Sequence, residues 1–240
     1  MIGWLIYSAV DVEKNKYYIQ MYKDKFKEHF IEIKLVIVEE LENMEQYVKC
    51  NKVDFAINRS RNHIMGELLE QTGVRVFNSS SVTRIANNKG ITYEFLKDVV
   101  PFLAVKYGNE IIESKIENKG FEYPYVIKSC SGHGGSQVFL VNNSKEEEQA
   151  IKAMNGQQCC SDLGRDVRVY IIGNKIIKAV LRTSTESFKS NYSLGGKVQE
   201  YTLNNEEKAM VERIVDKLPL DYAGIDFTFN NGKAVFNEIE

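Results

Sequence analysis

Over residues 1–80, short apolar runs alternate with stretches patterned at helical spacing, and a chain with that rhythm has few ways to bury itself. Residues 2–10 read as a strand, and residues 14–30 place Tyr18, Met21, Tyr22, Phe26 and Phe30 at helical spacing. The runs IEIKLVIV, VDFAIN and VRVFN repeat the strand pattern. Between them, ELENMEQYVKC and HIMGELLEQTG read as helices, the second ending on Gly73, which suits a left-handed C-cap. Strands and helices in alternation predict a parallel sheet with helices on its faces.

The rhythm then changes. SVTRIANNKGITYEFLKDV, with a cap available at Ser79 to Ser81, reads either as one helix or as two meeting near Lys89, because Gly90 interrupts it. From residue 100 onward short strands follow one another: PFLAVKY, YPYVIKSC, SQVFLVN, and later RDVRVYIIG and KIIKAVLRTS, a hairpin around Gly173-Asn174. SKEEEQAIKAMN and NNEEKAMVERIVDKL are the helices, the latter capped by Asn204 or Asn205. This half predicts α+β structure with antiparallel sheet, so the chain as a whole reads as α/β and α+β.

Composition narrows the partners. The 240 residues are 27% charged with a formal net charge of -2, and basic and acidic residues are interspersed, which argues against a direct nucleic-acid partner. No run reaches the ~20 apolar residues that span a bilayer. MIGWLIYSAV has no basic lead and reads as a buried strand rather than a signal peptide. Cys50, Cys130, Cys159 and Cys160 form no C-x-x-C pair and no metal spacing with His29, His63 or His133. No membrane partner, reduced thiols and a cytoplasmic location are therefore expected.

Four stretches could carry chemistry. VIKSCSGHGGSQVFLV is a strand, a glycine loop and a strand, with Lys128 on the first strand and Ser131, Gly132, Gly134 and Gly135 in the loop. Such a loop is either a flexible hairpin or a cradle whose backbone N–H groups meet phosphate. Lys128, inside an apolar strand, is expected to meet an anion or reach solvent. His133 reads as a phosphate-side donor or an exposed side chain rather than a general base. The closing hairpin AGIDFTFNNGKAVFNEIE carries Asp226, Glu238 and Glu240. It is either a solvated polar edge or a site for a hard cation, Mg²⁺ or Mn²⁺. Glu238 and Glu240 share a face; a two-residue turn at Asn231-Gly232 would pair Asp226 with Asn237 and turn Glu238 away from it, whereas a three-residue loop, Asn230-Asn231-Gly232, would pair Asp226 with Phe236 and bring it onto that face, as a shared site requires. Asn237 is expected on the apolar face. Arg165, Arg168 and Arg182 recur in strand patterns, and Arg168 and Arg182 either line an exposed salt-bridged face or reach one anion. FKSNYSLGGKV offers Asn191 as a neutral oxygen beside Gly195-Gly196.

Taken in order from Val74 to Glu240, these pieces resemble the ATP-grasp superfamily, and in particular carboxylate–amine ligases of the ribosomal-protein glutamate ligase and lysine-biosynthesis type. The resemblance runs through VFNSSSVTRIANNKGITYEFL, YVIKSCSGHGGSQVFLV, GQQCCSDLGRDVRVYII, FKSNYSLGG and AGIDFTF…VFNEIE. It implies an ATP-grasp fold behind an N-terminal Rossmann-like domain over 1–82. A small subdomain with the phosphate loop would cover 83–158, and a C-terminal subdomain with the metal-bearing strands 159–240. It implies ATP as cofactor, held by Lys89 and Lys128, the Ser131–Gly135 loop, Gln158, Cys159 and Cys160. It implies two Mg²⁺ (or Mn²⁺) ions on Asp226, Glu238 and Glu240 with Asn191 nearby. Arg168 and Arg182 would stabilise the transferring phosphoryl group or hold an acidic substrate. The implied partners are a small-molecule or peptide carboxylate and an amine such as an amino acid, and a homo-oligomer is compatible. Three residues depart from the family pattern: Glu240 stands for an asparagine, Lys189 for an arginine and Gln158 for a glutamate. Nucleotide binding without ligation is the alternative that these departures keep open.

Overall fold

The computed structural model describes residues 1–107, 121–132, 137–151, 155–185, 187–189 and 196–240. Two compact units emerge, Met1–Arg84 and Ile85–Glu240. In the first, β1 (Ile2–Tyr7), β2 (Glu32–Ile37), β3 (Phe55–Asn58) and β4 (Arg75–Phe77) lie in the order β2-β1-β3-β4. All pairs are parallel. Helices α1 (Ala9–Lys27), α2 (Met44–Cys50) and α3 (His63–Gln71) connect them. Trp4, Ile6, Val36, Val48, Ala56, Met65, Leu69 and Val76 form one buried cluster. The expected alternation is therefore present, with one correction. The first strand stops at Tyr7 rather than residue 10, because Ser8 takes the extended N-cap conformation and Ala9 and Val10 enter the first turn of α1.

The second unit opens with two helices rather than one, α4 (Ser80–Ala86), which crosses the boundary between the units, and α5 (Lys89–Leu96). The break comes from Asn88, whose side chain accepts from Ile91 N–H and caps α5. Two antiparallel sheets follow. The smaller has the order β5-β8-β6-β7, from β5 (Val105–Lys106), β6 (Tyr125–Lys128), β7 (Val138–Val141) and β8 (Asn155–Gln158). The larger has the order β11-β10-β9-β12-β13, from β9 (Arg165–Ile172), β10 (Lys175–Thr183), β11 (Lys197–Glu200), β12 (Tyr222–Asn230) and β13 (Lys233–Ile239). Helix α6 (Ser144–Ala150) follows β7, and α7 (Asn205–Lys217) precedes β12 with a full capping box between Asn204 and Glu207.

The larger sheet has one apolar and one polar face. Val167, Val169, Ile171, Leu181, Ile225, Phe227, Phe229, Phe236 and Ile239 are all buried. The intervening positions, Asp166, Arg168, Arg182, Asp226 and Glu238, point the other way, as the period of two requires. A wholly apolar strand would have sealed both faces; alternation leaves one for chemistry.

The closing hairpin brings Asp226 beside Glu238 without the three-residue loop that this placement was expected to need. Asn230 pairs with Lys233 across a two-residue turn, with Asn231 and Gly232 at φ 52 and 72. That turn alone would place Asp226 opposite Asn237. Between Phe227↔Phe236 and Asp226↔Glu238, however, the register shifts by one residue, so Asn237 is an extra residue in β13. The bulge reverses the parity that the turn imposes and puts Glu238 beside Asp226. It also takes Asn237 off the apolar face.

Gly232 has open space around it, so its requirement is conformational rather than steric. Gly232→Ala is predicted to lower unfolding stability by about 1 kcal/mol, the cost of a left-handed L-residue. Urea midpoints should fall while the slope with urea stays constant.

Candidate functional site

Charge on the polar face runs as an alternating chain across β10, β9, β12 and β13. Arg182 is bidentate on Asp166, with Nε to Oδ1 at 2.6 Å and Nη2 to Oδ2 at 2.9 Å. The same Nη2 donates to Asp226 Oδ2 at 2.7 Å. Arg168 grips Asp226 from its other side, with Nε to Oδ1 and Nη2 to Oδ2 both at 2.7 Å. Arg168 Nη2 then reaches Glu240 Oε2 at 2.5 Å. Gly224 makes room for this, since a Cβ there would lie 3.3 Å from the Arg168 stem. Asp226 is 1% exposed and Arg182 6%, so these are desolvated pairs in which partner loss is costly. Burial alone would raise the Asp226 pKa; the Arg168 and Arg182 guanidiniums outweigh it and hold the carboxyl below its usual range. Glu240 goes the other way, raised by burial and by Glu238 and Asp226 despite Arg168.

Two lysines arrive from other elements. Lys89, the first residue of α5, donates to Gly132 O at 2.6 Å and lies 3.1 Å from Glu238 Oε2. Lys128, the last residue of β6, is 5% exposed and donates to Tyr93 Oη at 2.7 Å and Asn237 Oδ1 at 3.3 Å. Tyr93 in turn donates to Asn237 O at 2.6 Å. The bulged pair Asn237-Glu238 thus receives one lysine each. Lys128, expected to meet an anion or reach solvent, lines a cavity near Glu238, with a phenol and an amide as its hydrogen-bond partners. Burial lowers its pKa to about 8, opposed by Glu238, Cys130 and Cys160.

Both lysines border an open cavity of about 870 Å³, part of it solvent. Of the expected site residues, Lys89, Lys128, Gly132, Gln158, Cys160 and Glu238 line it. Asp226, Arg168 and Arg182 stand behind this wall and connect to it through Asp166, which does line it. Glu240 joins through Arg168. Ser131 is exposed in the turn after Cys130, and Cys159 is half-buried beside Cys160. All four cysteines are free thiols, and a hydrogen bond from Cys159 lowers the pKa of the Cys160 thiol. His133, Gly134, Gly135 and Asn191 lie outside the described residues.

Four residues that sequence reading did not single out matter here. Asp166 sits two residues before Arg168, so strand periodicity alone could have placed both on one face. Tyr93 and Asn237 carried no signal, because their roles come from contacts across the fold. Gln157, 4% exposed, lines the cavity, and its Nε2 finds no hydrogen-bond partner among the described residues. A buried amide donor without a partner, on a residue that borders a cavity, is a position where a ligand acceptor gains a hydrogen bond.

Such a cavity suits an extended anion: lysines at its border, a backbone loop at Gly132, and apolar walls from Leu103, Val126, Val138 and Leu163. The carboxylates offer only oxygen, the donor type of Mg²⁺ or Mn²⁺. Among the described residues no three His, Cys, Asp or Glu side chains are grouped as a metal would require. The acids here are instead paired with cations: Arg168 and Arg182 are shared among Asp166, Asp226 and Glu240, and Lys89 meets Glu238.

Comparison with known proteins gives concordant results. Residues 94–240 match the RimK-like ATP-grasp domain family. An uncharacterized protein of Mycoplasma pneumoniae is 30% identical over 244 residues, covering 98% of this chain and 82% of its own. A protein of Haemophilus ducreyi named "Probable alpha-L-glutamate ligase" is 24% identical, over 66% of this chain and 55% of its own. Among solved structures, a RimK domain ATP-grasp protein from Sphaerobacter thermophilus superposes with a TM-score of 0.73 at 20% identity, covering 100% of this chain and 90% of that one. That likeness establishes the ATP-grasp fold.

The buried lysine gives a pH prediction. Unfolded, Lys128 keeps its proton to about 10.5; folded, it loses it near 8. The unfolded chain therefore binds more protons in that window, and stability should rise from pH 8 to pH 10.5. Lys128→Met should flatten this rise in urea-denaturation midpoints.

Proposed function

Because the chain belongs to the RimK-like ATP-grasp family, we propose that it is an ATP-dependent ligase joining a carboxylic acid to an amine. Its family supports ATP-dependent amide-bond ligation in general; the acid, the amine and the role of each residue are our reading. The observation that carries it is the convergence of Lys89 and Lys128, from α5 and β6, on the adjacent residues Asn237 and Glu238. This sets two cations at one cavity beside a cluster of carboxylates and guanidiniums.

In this reading a carboxylate oxygen of the acid attacks the γ-phosphorus of ATP, the bond to the bridging oxygen breaks, and ADP leaves. The amine then attacks the acyl carbon, phosphate departs and the nitrogen loses a proton, giving an amide. Lys89, Lys128, Ser131, Gly132, Gly134 and Gly135 hold the phosphates, and Gln158, Cys159 and Cys160 border the base. The Gln157 amide donates to a ligand acceptor. Arg168 and Arg182, with Asn191, offset charge on the transferring phosphoryl group. Asp226, Glu238 and Glu240 are the residues that would hold Mg²⁺ or Mn²⁺, two ions in the fullest form, whose charge offsets that of the phosphates when bound. Residues 83–158 would act as the nucleotide-clasping subdomain and 159–240 as the metal-bearing one. The relative named a glutamate ligase makes glutamate the first amine to test.

ADP release should require both an acid and an amine in a screen of amino acids and short peptides. ATP binding without turnover on any pair would instead favour a nucleotide-binding protein of regulatory role. Lys128→Ala should abolish nucleotide binding; tight ATP binding by that variant would overturn the site. Asp226→Asn with Glu238→Gln should remove metal-dependent turnover, and unchanged turnover would overturn the metal assignment.

A further inference from the structure

The chemistry proposed for the cavity gives no reactive part to two adjacent thiols, Cys159 and Cys160, which follow β8. Both are half-buried and free. Their side chains are hydrogen-bonded to each other, and Thr228 of β12 donates a second bond to Cys160 Sγ. When protonated, the Cys160 thiol itself donates to Asp162 O at 3.9 Å. Ionisation gives up that weak bond and strengthens the other two, so these contacts favour a thiolate on Cys160 and keep the proton on Cys159. Two further charges act here: the Asp162 carboxylate opposes the thiolate, and the Lys128 ammonium of β6 attracts it. A partly exposed thiol with hydrogen-bond donors and a cation beside it has the surroundings of a reactive cysteine, not of an inert structural one. Cys160, Thr228 and Lys128 all border the cavity, so a group added to this sulfur has the cavity as its space. Four cations, Lys89, Lys128, Arg165 and Lys189, line that cavity against two carboxylates, Asp166 and Glu238. Each carboxylate already has a cation, Arg182 or Lys89. The lining therefore favours an acidic reagent over a basic one.

We propose that Cys160 is a modification site at which a small acidic disulfide adds one of its halves, filling this part of the cavity and excluding the nucleotide. Cys160 Sγ attacks one sulfur of the disulfide, a new S–S bond forms, the old one breaks, and the second half leaves as a thiolate that takes a proton from water. The disulfide is the oxidant, and no other reactant enters. Cys159 is a positioning residue whose S–H keeps the attacking sulfur ionised. It does not displace the added group. The Cys159-Cys160 peptide is trans, which sets the Cα atoms about 3.8 Å apart, closer than the roughly 4.4–6.8 Å of ordinary disulfides, so closing a ring between the two cysteines is strained. Exclusion of the nucleotide rests on the function proposed for this cavity; addition to Cys160 rests on the thiols and their neighbours alone.

The test incubates the intact wild-type protein with glutathione disulfide at pH 7 and follows the added mass on each cysteine by peptide mass spectrometry. Cys160 should react about fivefold or more faster than Cys50, although Cys50, at the end of α2, is the exposed cysteine. Cystamine, a basic disulfide, should give a smaller Cys160-to-Cys50 ratio, in which the reagent's own reactivity cancels. Cys159→Ala should slow the Cys160 reaction and move its rate profile to higher pH, while Cys159→Ser, whose hydroxyl still donates, should keep the wild-type profile. Cys50 reacting first, a ratio no smaller with cystamine, or a pH profile unmoved by Cys159→Ala overturns the proposal. ATP binding is then measured before and after full modification of Cys160. No binding by the unmodified protein overturns the nucleotide reading alone, whereas equal binding before and after overturns the exclusion.

Discussion

The carboxylate of Asp226, sealed at 1% exposure beneath two guanidiniums, is the interaction on which the second unit's chemistry depends. An ionised carboxylate withdrawn from water is tolerable only with full hydrogen bonding and countercharge. Asp226 obtains both from β9 and β10, so three central strands must hold their register for the charge to be balanced. The register is what fixes Arg168 opposite Asp226 and Arg182 opposite Asp166. From there the effect passes outward: Asp166 carries it to the cavity wall, Glu240 to the far edge of the hairpin, and Gly224 gives way to the Arg168 stem. Polar side chains on this face are thus fixed by one another rather than by packing.

A second constraint is the bulge at Asn237. Without it, the two-residue turn at Asn231-Gly232 would point Glu238 to the apolar face, where its charge would have no partner. With it, two consecutive residues of β13 face the lysines, Asn237 toward Lys128 and Glu238 toward Lys89. One inserted residue therefore reconciles the tightest available hairpin turn with a polar site. Burial of Lys128 beneath Tyr93 and Asn237 gives that lysine a pKa near 8, at the edge of the range where an incoming anion would decide its protonation.

Much of this was legible beforehand, and the residues show why. Strand and helix alternation in the first unit is a local property of hydrophobic spacing, so the parallel sheet could be read directly; the end of β1 could not, because apolar Ala9 and Val10 look alike in a strand or a first helical turn. Asn204 and the turn at Gly173-Asn174 announced themselves through chemistry confined to a few neighbours. Lys89 and Lys128 were found by motif order, and the cavity brings both together. Gln157 escaped notice because nothing in GQQCC says which glutamine faces inward. That depends on the pairing of β8 with β6, where Gln157 sits opposite Val126.

Sequence alone determined which residues are charged, that the final strands alternate, and that glycine and asparagine would turn the last hairpin. Those are statements about neighbours along the chain, governed by local periodicity and backbone preference. Only the tertiary structure decided that the turn has two residues and a bulge corrects it, that Lys128 is met by a phenol and an amide, and that Asp226 is clasped by two arginines. Each of these depends on contacts between segments far apart in the chain, where desolvation leaves a charge no choice but the partner that the fold places beside it.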